Sequence, residues 1–172
     1  MFVDDLKTAR KVSLAILLAT IQIVIIAAFG SRWTSGKFEE TVYNIAFPGG
    51  SPPYSTLIPY PNYADWWYGL TAIVMYLVLV LCFLYIIWTV VQIALPDKIP
   101  FDLKMIVFVD VVFAALLTLM LLFAYCFFAG GFGGKKNLKG FGYGYCFWLA
   151  VTASISSFSV VIISGTSWYK NH

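Results

Sequence analysis

Residues 69–94 read GLTAIVMYLVLVLCFLYIIWTVVQIA, a run without a single charge. At about 1.5 Å per residue a helix of this length crosses the ~30 Å hydrocarbon core of a bilayer with room for tilt. Three further stretches meet the same test: residues 12–29, VSLAILLATIQIVIIAAF; residues 105–128, which hold one charge, Asp110; and residues 141–166, which hold none. Inside a bilayer no water satisfies open backbone N–H and C=O groups, so each span must be helical. The expectation is an all-α, four-helix transmembrane bundle forming one membrane domain over residues 1–172, with an extramembrane loop at 30–66.

Composition agrees. Apolar residues make up 61% of the chain and charged residues 11%, against about a quarter charged in soluble domains. A net charge of +3, scattered along the chain, leaves no footprint for nucleic acid. Lys7, Arg10 and Lys11 precede the first span, and Ala28-Phe29-Gly30 has the small residues of a cleavage site. A signal peptide is therefore the rival reading of that span, but its apolar stretch exceeds the usual signal core. With the N-terminus inside, the basic residues divide into Lys7, Arg10, Lys11, Lys98, Lys104 and Lys170 inside and Arg32, Lys37, Lys135, Lys136 and Lys139 outside. That near-tie passes the decision to the first helix, whose three leading basic residues favour a cytoplasmic N-terminus. An even number of spans places the C-terminus there too.

The connections differ in character. The loop at 30–66 carries Trp33, Phe38, Tyr43, Phe47, Tyr54, Tyr60, Tyr63 and Trp66 among five prolines, which makes it stiff and aromatic. Trp66, Trp67 and Tyr68 at the helix mouth fit an interfacial belt, and the other rings fit either a belt or a recognition surface. Leu95-Pro96-Asp97-Lys98-Ile99-Pro100 is a tight turn that makes spans two and three an antiparallel hairpin. The connection 129–140 is Gly-rich and holds Lys135, Lys136 and Lys139. It reads as a solvated loop or a basic patch for lipid headgroups.

Catalytic chemistry finds few carriers. The one histidine, His172, ends the chain, and no Ser/His/Asp or Cys/His set can be assembled without a second. The glycines at 130–134 precede no P-loop Lys-Ser pair. The expectation is a non-enzyme without cofactor or metal.

The opening LKTARKVSLAILLATIQIVIIAAFG resembles the first helix of the MARVEL family. The hairpin PDKIPFDLKMIVFVDVVFAALLTLMLLFAYCFFA is similar to that family's second and third helices, with a short Pro-containing turn and an early Asp. The fourth helix, YCFWLAVTASISSFSVVIIS, is compatible. The resemblance implies four helices, cytoplasmic termini and roles in membrane apposition, vesicle traffic and junctions, at the plasma membrane or a vesicle membrane. The first loop is long for the family. Gly142 to Ala150, GYGYCFWLA, is similar to the start of the fourth helix in the claudin and peripheral-myelin-protein superfamily. The first loop, however, lacks the Trp-Gly-Leu-Trp and cysteine pattern of claudins. The function expected is the organisation of membranes, vesicles or cell junctions through lateral and loop contacts, with membrane lipids and a membrane-protein partner or a second copy as partners. The alternative is an auxiliary subunit of a channel, transporter or other large complex. A pore or transporter fits least, because ion-path chemistry has only one intramembrane carboxylate to work with.

Three local expectations follow. Ala150, Ser154 and Ser157, with Ala153 and Ser156 beside them, should face the bundle, because close helix contact in lipid uses small residues, while Phe147, Val151 and Phe158 turn toward lipid. Cys126 and Cys146, at similar depth on either side of a short loop, are candidates for a disulfide. Asp110 is too costly to face lipid. Folding about the turn brings Thr89 to its depth, with Thr20 on helix one and Ser159 or Ser156 on helix four, and the four form an expected polar cluster.

Overall fold

The computed structural model describes residues 2–30, 33–35, 66–96, 101–134 and 142–170. Helix α1 spans Phe2–Phe29, α2 Trp66–Ala94, α3 Leu103–Gly133 and α4 Tyr145–Lys170, and two short strands, β1 at Thr34–Ser35 and β2 at Gly142–Tyr143, join at one end. All four helices are long and apolar enough to cross a membrane. The protein is an all-α bundle of four candidate membrane spans. Each helix packs against its neighbours in chain order and α4 closes the ring on α1.

The buried positions show how the sequence arranges this. On α2 they include Met75, Val78, Cys82, Tyr85, Thr89 and Gln92; on α3, Val107, Asp110, Ala114, Leu117, Leu121, Ala124 and Phe128. On α4 they include Cys146, Ala150, Ala153, Ser157, Val160 and Ser164, and on α1 Ser13, Leu17, Thr20, Val24 and Ala27. Steps of three and four alternate on every helix. A mean period of 3.5 is that of the left-handed, knobs-into-holes bundle. The outward positions carry Leu77, Val80, Leu84, Ile87, Leu119, Phe123, Ile155 and Phe158 among others, a surface suited to acyl chains.

The loop end is closed by aromatic rings. Trp33 is fully buried. Its indole N–H donates to the Ala27 carbonyl at 2.8 Å, one of the last four carbonyls of α1, which have no partner within the helix. Phe128 sits centrally, with ring centroids 4.9 Å from Trp33, 5.5 Å from Trp67 and 6.0 Å from Phe147. Thr34 pairs with Tyr143 and Ser35 with Gly142, and the Gly144 N–H donates to the Trp33 carbonyl at 2.8 Å. The strands thus tie the end of α1 to the start of α4.

Several expectations change here. The fourth span begins at Tyr145, since Gly142–Tyr143 is strand. Trp67 and Tyr68 are buried while Trp66 is exposed, so an interfacial belt of all three is not formed: the first two occupy the inward face of α2. Phe147 is also buried, stacked on Tyr143 at 4.2 Å, because the strand folds Tyr143 back over it. The small-residue stripe does face inward, with Ala150, Ala153, Ser154 and Ser157 buried, Ser156 intermediate and Phe158 exposed. The other rings named at 38–63, the turn residues 97–100 and the basic residues Lys135, Lys136 and Lys139 lie outside the described residues.

Candidate functional site

The seam turns polar at the end of the bundle where both termini emerge. In place of Leu, Val and Ala, its 3.5-residue positions carry Arg10 and Ser13 on α1, Thr89 and Gln92 on α2, Asp110 on α3 and Ser164 on α4. Asp110 is the hub. Its Oδ1 accepts the Trp88 indole N–H at 2.8 Å and a Gln92 amide N–H at 2.6 Å, and its backbone carbonyl accepts the Tyr85 hydroxyl at 3.1 Å. Three side chains of α2 therefore grip one residue of α3.

Arg10 approaches from α1 closely enough for its charge to act on Asp110. No ion pair between them appears among the described residues. Its Nε and Nη2 are buried and without a hydrogen-bond partner in the structure, as is the Oε1 of Gln92. Those two nitrogens form one edge of the guanidinium fork, the edge that matches a bidentate oxygen acceptor. Beside them lies a cavity of about 20 Å³ lined by Arg10, Ser13, Tyr85, Thr89, Asp110 and Ser164 among others. That volume accommodates one water molecule, too little for a phosphate or an organic ligand. A second, looser tie joins α3 to α4, where the hydroxyls of Thr118 and Ser157 lie 2.9 Å apart.

The expected cluster of Asp110, Thr89, Thr20 and Ser159 is only partly brought together. Thr89 lines the cavity with Asp110, but its hydroxyl donates to the Tyr85 carbonyl at 2.9 Å. Thr20 donates to Ile16 and Ser159 to Ile155, each one turn back on its own helix; this local bond is the usual alternative for a helical hydroxyl. The residues that do reach Asp110 were legible in principle. Trp88 and Gln92 flank Thr89 within one turn, and both carry longer N–H donors, which a carboxylate needs more than it needs a hydroxyl.

The disulfide between Cys126 and Cys146 does not form: no disulfide joins any two of the three cysteines, and Cys126 is exposed while Cys82 and Cys146 are buried. Depth matched but direction did not. Cys126 stands two residues from both Ala124 and Phe128, which face the core, and two residues turn a helix by about 200°. The Cys146 Sγ instead lies 3.9 Å from the Ile26 carbonyl of α1. Among the described residues no group of three His, Cys, Asp or Glu converges as a metal site would require.

Fold and site together define a membrane-spanning four-helix bundle locked by a buried polar layer. Comparison with protein-family models, with curated proteins and with solved structures yields no match to the chain.

Proposed function

We propose that the chain is a non-enzymatic four-span membrane protein that organises membranes, vesicles or cell junctions through lateral association and loop contacts. In this reading its termini are cytoplasmic, as the MARVEL-like pattern of the first helix and the hairpin implies. The observation that carries it is how the interior is used. The seam is filled along its length, its aromatic end is plugged by Trp33 and Phe128, and its polar end has a cavity of about 20 Å³. Such an interior favours a rigid unit that acts through its surface over a conduit or a reaction chamber.

A second reading, an auxiliary subunit of a larger membrane complex, draws on one feature. The outward face of α2 holds an apolar groove of about 410 Å³ lined by Trp66, Gly69, Leu70, Ala72, Ile73 and Tyr76, large enough to take side chains of a neighbouring helix. Affinity purification in mild detergent separates the two. Self-association or mixed, lipid-rich complexes support the organiser. One large partner at fixed stoichiometry supports the subunit and overturns the first reading.

A further inference from the structure

Gln22 stands apart from the other polar side chains of the spans. It lies within the span Leu6–Phe29, and its side chain is on the exposed face of α1. The outward-facing hydroxyls of Thr152, Ser159 and Thr166 each donate to a carbonyl of their own helix. Gln22 has no hydrogen-bond partner among the described residues. An amide carries two donors and a two-lone-pair acceptor, and in hydrocarbon none of these meets water.

The amide cannot escape to the headgroups. From Gln22 to the end of α1 at Phe29 is about 10 Å, beyond the reach of a glutamine side chain. Helical side chains also tilt toward the helix N-terminus, so Gln22 leans away from the nearer membrane surface and toward the bilayer centre. It therefore requires a partner within the membrane.

We propose that Gln22 marks a homodimer surface, where α1 of one copy packs against α1 of a second copy and the two amides hydrogen-bond to each other. This rests on the reading of the chain as one that works by lateral association, and it names the surface and the partner. The amide is self-complementary: across a two-fold axis each copy donates one N–H and accepts one, and both are satisfied by the same residue. The surrounding face permits the approach. Ala15, Ala19, Gln22 and Ile26 fall within an arc of about 60° on a helix of 3.6 residues per turn, and all four are exposed. Two alanines one turn apart, one turn before the amide, let the backbones come close enough for the short side-chain bonds to form. On α2 the outward positions Leu77, Val80, Phe83, Leu84 and Ile87 are large and carry no amide.

The test uses the full chain in liposomes, with Cys126→Ser as background because Cys126 is exposed. Energy transfer between labelled copies is followed as the protein-to-lipid ratio is lowered. Two interhelical hydrogen bonds of ordinary membrane strength correspond to about a tenfold change in the dimerisation constant. Gln22→Leu is expected to weaken association by that factor and Gln22→Asn to retain most of it. Under mild oxidation Ala19→Cys should cross-link to itself, and Val80→Cys on α2 should not. If Gln22→Leu associates as well as the parent, this surface is refuted while lateral association stands. If the parent itself stays monomeric at all dilutions and copurifies with one large partner, both the homodimer and the reading it rests on are overturned.

Discussion

Replacing Asp110 by alanine or by asparagine separates two roles that the carboxylate combines. Alanine removes the acceptor of Trp88 and Gln92, leaving one half-buried and one buried donor unpaired. Each orphaned donor costs about 1–3 kcal/mol. The lower part of that range applies, because separated helices in a membrane-like solvent find other partners for their polar groups. Alanine is therefore expected to destabilise the bundle by about 2–3 kcal/mol. Asparagine keeps an oxygen where Oδ1 stands, so both N–H donors keep an acceptor. Its expected cost is about 1 kcal/mol, a value that includes the lost attraction to Arg10. The two buried thiols provide the assay. Cys82 and Cys146 are fully buried, so in a Cys126→Ser background a thiol-reactive fluorophore reports loss of packing as temperature or dodecyl sulfate fraction rises. The order expected is parent, then asparagine, then alanine. Equal damage from the two would show that charge, and not acceptor geometry, holds the hairpin. An alanine variant as stable as the parent would refute the hub altogether.

Other positions make sharper local tests. A Cβ on Gly131 would lie 2.7 Å from Trp67 Cβ and closer still to its ring, whereas one on Gly130 would meet nothing within 4 Å. Gly131→Ala should cost about 1–2 kcal/mol after its gain in helix propensity, and Gly130→Ala should be neutral or slightly stabilising; comparable thermal midpoints for the two would contradict the packing. Trp33→Phe removes the bond to the Ala27 carbonyl and should cost about 1 kcal/mol, while Trp66→Phe, at a position 76% exposed, should leave the unfolding midpoint unchanged. Maleimide in mild detergent should modify one thiol, Cys126, and reach the other two only after denaturation, as read by intact mass. A denatured pool lacking two reactive thiols that regains both on reduction would instead restore the disulfide.

How far the sequence could be read depends on which helical coordinate a question needs. Length and charge set where a span begins and how deep a residue lies, and on those terms four helices, the burial of Asp110 and its pairing with the second helix near Thr89 were all accessible. Direction around the axis is a second coordinate, and depth says nothing about it. Cys126 and Cys146 match in depth and face different ways. Thr20 stands seven residues, about 10 Å, beyond Ser13, and Ser159 five residues, about 7 Å, from Ser164, so neither is level with Asp110, and their short hydroxyls close onto the preceding turn. The alternating steps of three and four that place Asp110, Gln92, Ser164 and Ser13 on one seam are present in the sequence. They are hard to see there because in a membrane protein the outward face is as apolar as the inward one, so hydrophobic periodicity no longer marks the core. What remains visible is the exception. A polar residue on the seam finds its partner within the bundle, as Asp110 does with Trp88 and Gln92. A polar residue at the opposite azimuth, with a side chain too long to close on its own helix, has to find one outside it. Gln22 satisfies both conditions, and the same rule that explains the interior of this protein thereby points to α1 as the face it presents to another molecule.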